Sequence, residues 1–187
     1  MPRRSEDRDD LPEQAGRFRR PDNAYGDEVE WHSGLPFRLI WALTAAAAVG
    51  DALAIRKLAT DEPDLIRYHH IDAMPFAVQA GHIDAVRVMI DLGAFDVGYV
   101  EMHRINDMID AAEIRGRRSV LDLLDGQRRS RWHYRPEAND LAGIIKDRAL
   151  ARVAERMDAD PDLVHAADDY GNAPMHWAAL TGQLALV

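Results

Sequence analysis

The residues best suited to metal chemistry in this chain are four histidines, of which two are adjacent. His69 and His70 are followed closely by Asp72, and imidazole and carboxylate side chains are common zinc ligands. Neighbouring side chains rarely point at one ion unless a third ligand is fixed nearby. We therefore expect no metal site. The four are His69, His70, His82 and His165, and we interpret His69 and His70 as loop residues and His82 as structural.

Covalent catalysis and phosphate binding lack the sequence patterns that they need. The chain has no cysteine, and none of its serines lies in a Gly-x-Ser-x-Gly context. Those serines are Ser5, Ser33, Ser119 and Ser130. Asp168 and Asp169 lie near His165, but they are better explained as the turn before Gly171. The glycines are scattered and form no phosphate-binding loop. We expect a protein that is not an enzyme and takes no cofactor.

One short segment, "RRSRWHYR", combines arginines with aromatic residues and contains no acid. Its residues of interest are Arg128, Arg129, Arg131, Trp132, Tyr134 and Arg135. Basic side chains interleaved with aromatic rings can grip single-stranded nucleic acid. The net charge of −9 opposes that function, because the chain as a whole repels phosphate. We interpret the segment as an exposed loop with Trp132 or Tyr134 packed on the fold, and keep nucleic-acid binding as an alternative.

Composition limits the class of protein and its location. Apolar residues make up 47% of the 187 residues, enough for a real core. The hydrophobic runs are short and interrupted by charge, so we expect no membrane span, and the N-terminus has no apolar stretch typical of a secretory signal. The absence of cysteine fits a reducing compartment, and we expect a cytoplasmic protein.

The first 34 residues differ in amino-acid composition from the rest of the chain. They are rich in arginine and acids and contain few large apolar residues, so they cannot bury enough surface to offset chain entropy. We predict a disordered charged tail over 1–34, with Trp31, Leu35 and Phe37 able to dock on the first helix. The second predicted segment, 35–187, alternates short helical patterns with turns.

The second segment contains an internal repeat that is anchored on glycine. When Gly50, Gly81, Gly116 and Gly182 are superposed, each has an alanine four residues earlier and a large apolar residue seven residues earlier. The alanines are Ala46, Ala77, Ala112 and Ala178, and the large residues are Leu43, Met74, Ile109 and Met175. The intervals between the glycines are 31, 35 and 66 residues. Because 66 is twice 33, the last interval should contain one more unit.

The additional unit has no glycine at its reference point, which falls at Asp147 or Arg148. Gly143 or Ile144 then takes the position of the small residue. This gives five units, at about 38–67, 68–103, 104–135, 136–168 and 169–187. Each unit predicts two helices, the first of about nine residues, joined by a glycine turn. Such short helices cannot bury their apolar faces alone, so neighbouring units must stack into an all-α fold.

The stretch "GNAPMHWAALTGQ" resembles the ankyrin-repeat signature. The match keeps Gly171, Pro174, His176, Ala178, Ala179 and Gly182. The stretches "AMPFAVQAGHIDAVRVMIDLGA" and "IDAAEIRGRRSVLDLL" are further matches, and the resemblance covers about residues 38–187. It departs from the family where Pro75 and Asp110 replace the signature histidine. The Asp/Glu-Pro-Asp-Leu stretches suggest irregular loops in place of regular finger hairpins.

The resemblance implies an ankyrin-like solenoid of about five stacked helix-turn-helix repeats, of which the last is truncated. It also implies that the variable position, five residues before the reference, faces a concave groove. That position holds Ala45, Phe76, Ala111 and Trp177. Ala142 or Gly143 holds it in the fourth unit. His176 is expected to bond backbone of an adjacent loop.

From this we expect a non-catalytic protein-protein interaction module, a scaffold that binds a partner protein through the groove and the loop tips. Nucleic-acid binding through Arg128–Arg135 is one alternative, and a regulatory portion of a larger enzyme is another. The last helix would end without a polar outer face, so we expect further repeats beyond Val187.

Overall fold

The computed structural model describes residues 28–96, 102–183 and 186, and its regular secondary structure within those ranges is entirely helical. The helices are α1 (Phe37–Val49), α2 (Ala52–Asp61), α3 (Asp64–Ala80), α4 (Ile83–Asp91), α5 (Met102–Ile114), α6 (Arg118–Trp132), α7 (Glu137–Lys146), α8 (Leu150–Ala159) and α9 (Pro174–Leu180). A short 3-10 helix covers Pro161–His165. The predicted all-α class is confirmed. No helix of the described chain is long and apolar enough to cross a membrane.

The chain divides into two compact units. The first contains the described part of Met1–Tyr99 together with Ala111–Val120, and the second contains the described part of Val100–Asp110 and of Leu121–Val187. Helices α5 and α6 therefore contribute residues to both.

The first unit is built from two helical hairpins, α1–α2 and α3–α4. Helix α1 packs on α3 and α2 packs on α4, so the hairpins lie side by side in the same order. Leu43, Ile55, Met74 and Met89, one from each helix, are fully buried. At roughly 1.5–3 kcal/mol for each large side chain removed from water, this shared interior is what stabilises helices too short to persist alone.

The second unit repeats this arrangement with α7, α8 and α9. Helix α7 packs on both α8 and α9, and the 3-10 helix packs on α8 and α9. The core contains Leu141, Ile145, Val153 and Leu163, each at most 1% exposed. Trp177, half-buried on α9, packs against this core from its edge.

Each predicted reference glycine is a left-handed helix end. Gly50, Gly81, Gly116 and Gly182 have φ between 66° and 86°. The next residue donates its backbone N–H to the carbonyl of the alanine four before the glycine, as in Asp51 N to Ala46 O at 2.9 Å. The equivalent bonds are His82 to Ala77, Arg117 to Ala112 and Gln183 to Ala178.

The structure settles the uncertain fourth turn in favour of Arg148. Its φ is 58°, and the N–H of Ala149 donates to the carbonyl of Ile144 at 3.2 Å, the same bond as at the four glycines. Ile144 therefore occupies the position of the small residue. The bulky side chain of Ile144 is half-buried, whereas the four alanines at the equivalent position are buried.

Three residues that directly follow a turn also reach back to the preceding turn of the same unit. The His82 ring N–H donates to the carbonyl of Ala48 at 3.2 Å, and Arg117 Nε donates to Gln79 O at 3.1 Å. In the second unit, Gln183 Nε2 donates to Ile145 O. These bonds satisfy carbonyls that a helix end leaves without an intrahelical partner.

The predicted core positions are mostly correct. The four alanines are 0–7% exposed, and Leu43, Met74 and Ile109 are also buried. The prediction for Met175 is wrong, because its side chain is 45% exposed. Helix α9 packs on α7 and on the 3-10 helix, and this packing leaves the Met175 side chain exposed.

Helix α3 corrects two further predictions. It starts at Asp64, directly after Pro63, and runs for 17 residues where a helix of about nine was expected. The predicted irregular loop is therefore helical, and Pro75 lies inside the helix. Burial of the apolar side chains along α3 stabilises the helix by more than it loses through the backbone hydrogen bond that Pro75 cannot donate.

The predicted tail boundary at residue 34 is also too late. Residues 1–27 lie outside the described chain, but residues 28–37 form a hairpin in which Val29 pairs with Pro36. Leu35 is buried, whereas Trp31 is 89% exposed and does not dock on α1. The hairpin turn is held by Glu30, which leaves Trp31 on its outer side.

Candidate functional site

The predicted groove residues share one environment. Ala45 on α1, Phe76 on α3 and Ala111 on α5 belong to the first unit, and all three are half-buried. Trp177 on α9 is half-buried in the second unit, as is Gly143, which holds the same position before Arg148. At the four glycine turns this position is partly accessible and the next residue along the helix is buried, whereas at the Arg148 turn both Gly143 and Ile144 are half-buried.

Trp177 has the most extensive polar contacts of the four. Its indole Nε1–H donates to the carboxylate of Asp168 at 2.6 Å. The ammonium of Lys146 lies 3.6 Å from the centre of the ring, and the ring of Tyr170 meets it edge-on at 6.4 Å. The ring of Trp177 therefore packs on the turn before α9 and still remains half-exposed.

Asp168 organises the turn that precedes α9. Its side chain is 1% exposed, and its Oδ1 accepts the backbone N–H groups of Tyr170 and Asn172, both at 2.9 Å. The N–H of Gly171 donates to its carbonyl, with Gly171 in the left-handed region at φ 77°. The predicted turn role of Asp168 is confirmed. Tyr170, 67% exposed, is held at the tip of this turn.

His176 fixes the start of α9. Its Nδ1 accepts the backbone N–H of Ala173 at 2.9 Å, and Pro174 occupies the first helical position. The bond is therefore local to the start of α9, and the predicted bond to backbone of an adjacent loop is wrong. Although the ring is exposed, it closes the first turn of a helix that has only seven residues.

The basic segment is not a loop over most of its length. Helix α6 continues to Trp132, so Arg128, Arg129 and Arg131 are helical. Tyr134 is buried, as expected for one of the two aromatic residues, and Trp132 is half-buried. The backbone pairing of Tyr134 with Ala167 then anchors the chain before α7.

Arg128 lies at the centre of a polar cluster in the second unit. Its guanidinium lies 3.5 Å from the centre of the Tyr134 ring and donates to Asn106 Oδ1 and Asp125 Oδ1, both at 2.8 Å. The carboxylate of Asp169 is 3.7 Å away. With a side chain only 12% exposed, Arg128 presents little charge to solvent.

Asn106 and Asn139 complete the cluster by binding the backbone of Asp169. Asn106 donates to the Asp169 carbonyl at 2.7 Å, and Asn139 Oδ1 accepts the Asp169 N–H at 3.0 Å. Burial raises the pKa of the Tyr134 phenol, and its hydrogen bond to Asp169 raises it further. The cluster thereby joins α5, α6 and α7 to the turn that carries Tyr170.

Sequence reasoning missed the asparagines, because their partners are distant in sequence. Asp125 had a visible signal: it precedes Arg128 and Arg129 by three and four residues, the spacing of ion pairs on a helix. The pKa of Asp125 is lowered, since hydrogen bonds from both arginines outweigh its partial burial.

Of the other arginines of the segment, Arg129 and Arg135 also bind carboxylates, whereas Arg131 Nε donates to the amide oxygen of Gln127 at 2.8 Å. Arg129 Nε donates to Asp125 Oδ2 at 2.7 Å, and Arg135 binds Asp160 through both terminal nitrogens. The hydrogen bond from Arg135 lowers the pKa of Asp160. Much of the positive charge predicted for nucleic-acid binding is neutralised within the chain.

The histidines predicted to lie in a loop are on α3, and both are 6% exposed. His70 Nδ1–H donates to the carbonyl of Ile66 at 2.9 Å. The His69 ring lies between Ser33 Oγ at Nε2 and Asp72 Oδ2 at Nδ1, both at 2.9 Å. The interpretation of these histidines as loop residues is therefore wrong, since the helix is longer than its pattern indicated.

Ser33, His69 and Asp72 have the order and spacing of a serine hydrolase triad, which sequence reasoning did not anticipate. The hydroxyl of Ser33, however, also lies 2.9 Å from the Glu30 carboxylate and donates to it. That carboxylate competes with His69 for the one hydroxyl proton. Asp72 is 55% exposed, unlike the buried acid of a triad. We assign these bonds to holding the 28–37 hairpin on α3.

A cleft of about 730 Å³ lies between α7 and α8. Its polar lining includes Asp140, Asp147, Arg152, Glu155 and Arg156. Both signs of charge are present, and Arg156 approaches Asp140 at 3.9 Å across it. Within the described residues, no three histidine or acidic side chains are grouped to hold a metal ion.

No family model matches this chain, and neither the curated proteins nor the solved structures include a significant match. Its function must therefore be argued from its own residues.

Proposed function

We propose that this chain is a non-catalytic protein-protein interaction module made of ankyrin-like helical repeats. The observation that carries the proposal is the contrast between adjacent positions before each left-handed turn. At the four glycine turns, the residue four before the turn is buried, and the residue five before it is half-exposed. A surface position that recurs with the repeat is what an extended binding face requires.

The recurring turns support the ankyrin-like part of the proposal. Five left-handed turns share the same backbone bond, and three residues that follow a turn bind the preceding turn within their unit. Stacked hairpins held in this way would form the proposed solenoid.

One face of α9 is left exposed. Leu43 and Ala47 on α1, beside α3, are buried, and so are Leu141 and Ile145 on α7, beside α9. Their counterparts on α9, Met175 and Ala179, are exposed. The proposal also retains a cytoplasmic location, which fits a chain without cysteine.

The test is a binding measurement with a defined partner. Phe76 would be replaced by a photo-crosslinking amino acid, the crosslinked protein identified, and its affinity for the purified chain measured by calorimetry. We expect Phe76→Ala to weaken binding at least about tenfold, as for an aromatic hot spot. Leu53→Ala, at a residue that is 80% exposed on α2, is the matched control and should leave affinity unchanged.

Equal affinities for the wild-type chain and Phe76→Ala would remove the groove assignment. Nucleic-acid binding has weaker support, because Arg128, Arg129 and Arg135 are already paired with carboxylates. Filter binding to single-stranded RNA and DNA across salt concentrations distinguishes the two functions. Affinity that falls steeply with salt and depends on these arginines would favour the nucleic-acid function instead.

A further inference from the structure

Trp31 is the most exposed large apolar residue of the described chain, and the turn that carries it is rigidly bonded. Its side chain is 89% exposed. The Glu30 carboxylate accepts the backbone N–H groups of His32 at 3.0 Å and of Ser33 at 2.7 Å. The N–H of Gly34 donates to the Glu30 carbonyl at 2.7 Å. The backbone on both sides of Trp31 is therefore fixed before any partner arrives.

The hairpin is also fixed to the body of its unit. Ser33 Oγ lies 2.9 Å from the buried Nε2 of His69, and the His32 ring meets the Tyr68 ring edge-on at 6.1 Å. Leu35 is buried beneath the hairpin. An exposed tryptophan on so firmly held a turn can bind a partner with little loss of conformational entropy.

Several aromatic rings in this chain have a cationic side chain over one face. The Arg67 guanidinium lies 5.4 Å from the centre of Tyr68, on the helix that holds the hairpin. The same contact recurs at Tyr134 with Arg128 and at Trp177 with Lys146. Trp31 meets His32 edge-on at 5.4 Å, and at 89% exposure its ring can still receive a cation from solvent.

The charges near Trp31 are complementary to a cation. Glu28 and Glu30 lie on the same strand of the hairpin, and Asp72, 55% exposed, binds the histidine that holds Ser33. Hydrogen bonds from the backbone N–H groups of His32 and Ser33 lower the pKa of Glu30, so its carboxylate stays charged in mild acid. The whole chain carries a net charge of −9.

We propose that the 28–37 hairpin is a recognition site for a basic peptide segment. The Trp31 indole receives a guanidinium or ammonium group on its face, and Glu28 attracts a neighbouring positive charge. Tryptophan is the strongest cation-binding side chain, which is why this ring is selected in preference to the other exposed apolar residues. The site is separate from the groove positions, and it stands whether or not they bind a partner.

The probe is the peptide acetyl-Gly-Arg-Gly-Arg-Gly-amide, titrated into the full 187-residue chain and followed by NMR. The indole N–H signal of Trp31 is identified by its absence from Trp31→Leu. We expect it to shift and saturate with the arginine peptide and to stay in place with the glutamine analogue. The affinity should fall about tenfold in Trp31→Leu, which keeps an apolar side chain but removes the aromatic face.

Two further variants sharpen the test. Glu28→Gln should weaken binding and reduce its dependence on salt, whereas Tyr170→Leu, at the other strongly exposed aromatic residue, should change neither. The proposal is overturned if Trp31→Leu binds as tightly as the wild-type chain. It is equally overturned if the Trp31 signal does not move at millimolar peptide, or if Tyr170→Leu causes the larger loss.

Discussion

The indole nitrogen of Trp177 donates to the buried carboxylate of Asp168 at 2.6 Å and so joins α9 to the turn before it. The same carboxylate accepts two backbone N–H groups of that turn. One side chain therefore fixes both the shape of the loop that presents Tyr170 and the orientation of the half-exposed tryptophan.

Replacing Asp168 by alanine should destabilise the chain by about 3 kcal/mol, because three donors lose a charged acceptor at once. Trp177→Phe removes the indole bond but keeps an aromatic ring beside Lys146 and Tyr170, and it should cost about 1 kcal/mol. Urea unfolding followed by circular dichroism measures both. Asp162→Ala, at an exposed residue of the 3-10 helix, is the control. Equal effects of Asp168→Ala and Asp162→Ala would contradict the central role of Asp168.

Two arginines that bind the same carboxylate should differ sharply in their contribution to stability. Arg128 is 12% exposed and Arg129 is 54% exposed, and both donate to Asp125. Arg128→Ala breaks the buried cluster and should cost about 2–4 kcal/mol, whereas Arg129→Ala removes a surface pair and should cost at most about 0.5 kcal/mol. The free energy of unfolding of each variant is measured by thermal or urea unfolding. A similar loss of stability in both variants would show that the cluster is not cooperative.

Alanine at two of the turn glycines should reveal the contact between neighbouring turns. Both Gly50 and Gly116 have positive φ, so alanine strains each backbone by about 1–2 kcal/mol. At Gly50 the added methyl group would also lie 2.7 Å from the His82 ring, while nothing lies within 4 Å at Gly116. We expect Gly50→Ala to lower the unfolding midpoint clearly more than Gly116→Ala. The reverse order would argue against packing of His82 over the preceding turn.

Stability should depend on pH through Asp160. Its pKa is lowered in the folded chain, chiefly by the hydrogen bond from Arg135. A lowered folded pKa means that this contribution is present above the unfolded value of 3.8 and is lost as pH falls through the folded value. Arg135→Gln should therefore lower the free energy of unfolding at neutral pH. In this variant the free energy should also fall less steeply as the pH drops from about 5 to about 2. An equally steep fall of the free energy of unfolding in acid for the wild-type chain and for Arg135→Gln would contradict this.

Local pattern was enough to predict much of the fold. The glycine turns, the buried alanines before them and the large residues Leu43, Met74 and Ile109 follow from spacing alone, because a short helix must repeat its apolar positions to bury them. The pattern failed on α3, where the Glu-Pro-Asp signal of turns coincides with the start of a helix. Proline is tolerated at either place, so local sequence cannot separate the two.

The candidate sites were less predictable. Phe76 and Trp177, which the repeat assigns to its variable position, are half-buried, but the partners of Trp177 and of Arg128 were not foreseen. Asn106 binds Asp169 across 63 residues, and Ser33 meets His69 across 36. No periodicity connects residues so far apart.

The sequence by itself determined the all-helical class, the left-handed turns and the residues that pack beside them, since these depend on backbone conformation and on burial within one turn of a helix. Tertiary structure alone decided which charges are neutralised and which aromatic rings remain exposed. Arg128 is buried by contacts with α5, its own helix α6, Tyr134 and the turn before α9. Trp31 is left in solvent on a turn that Glu30 holds. Charge and exposure depend on neighbours brought together by the whole fold, and those neighbours are not encoded in any single stretch of the chain.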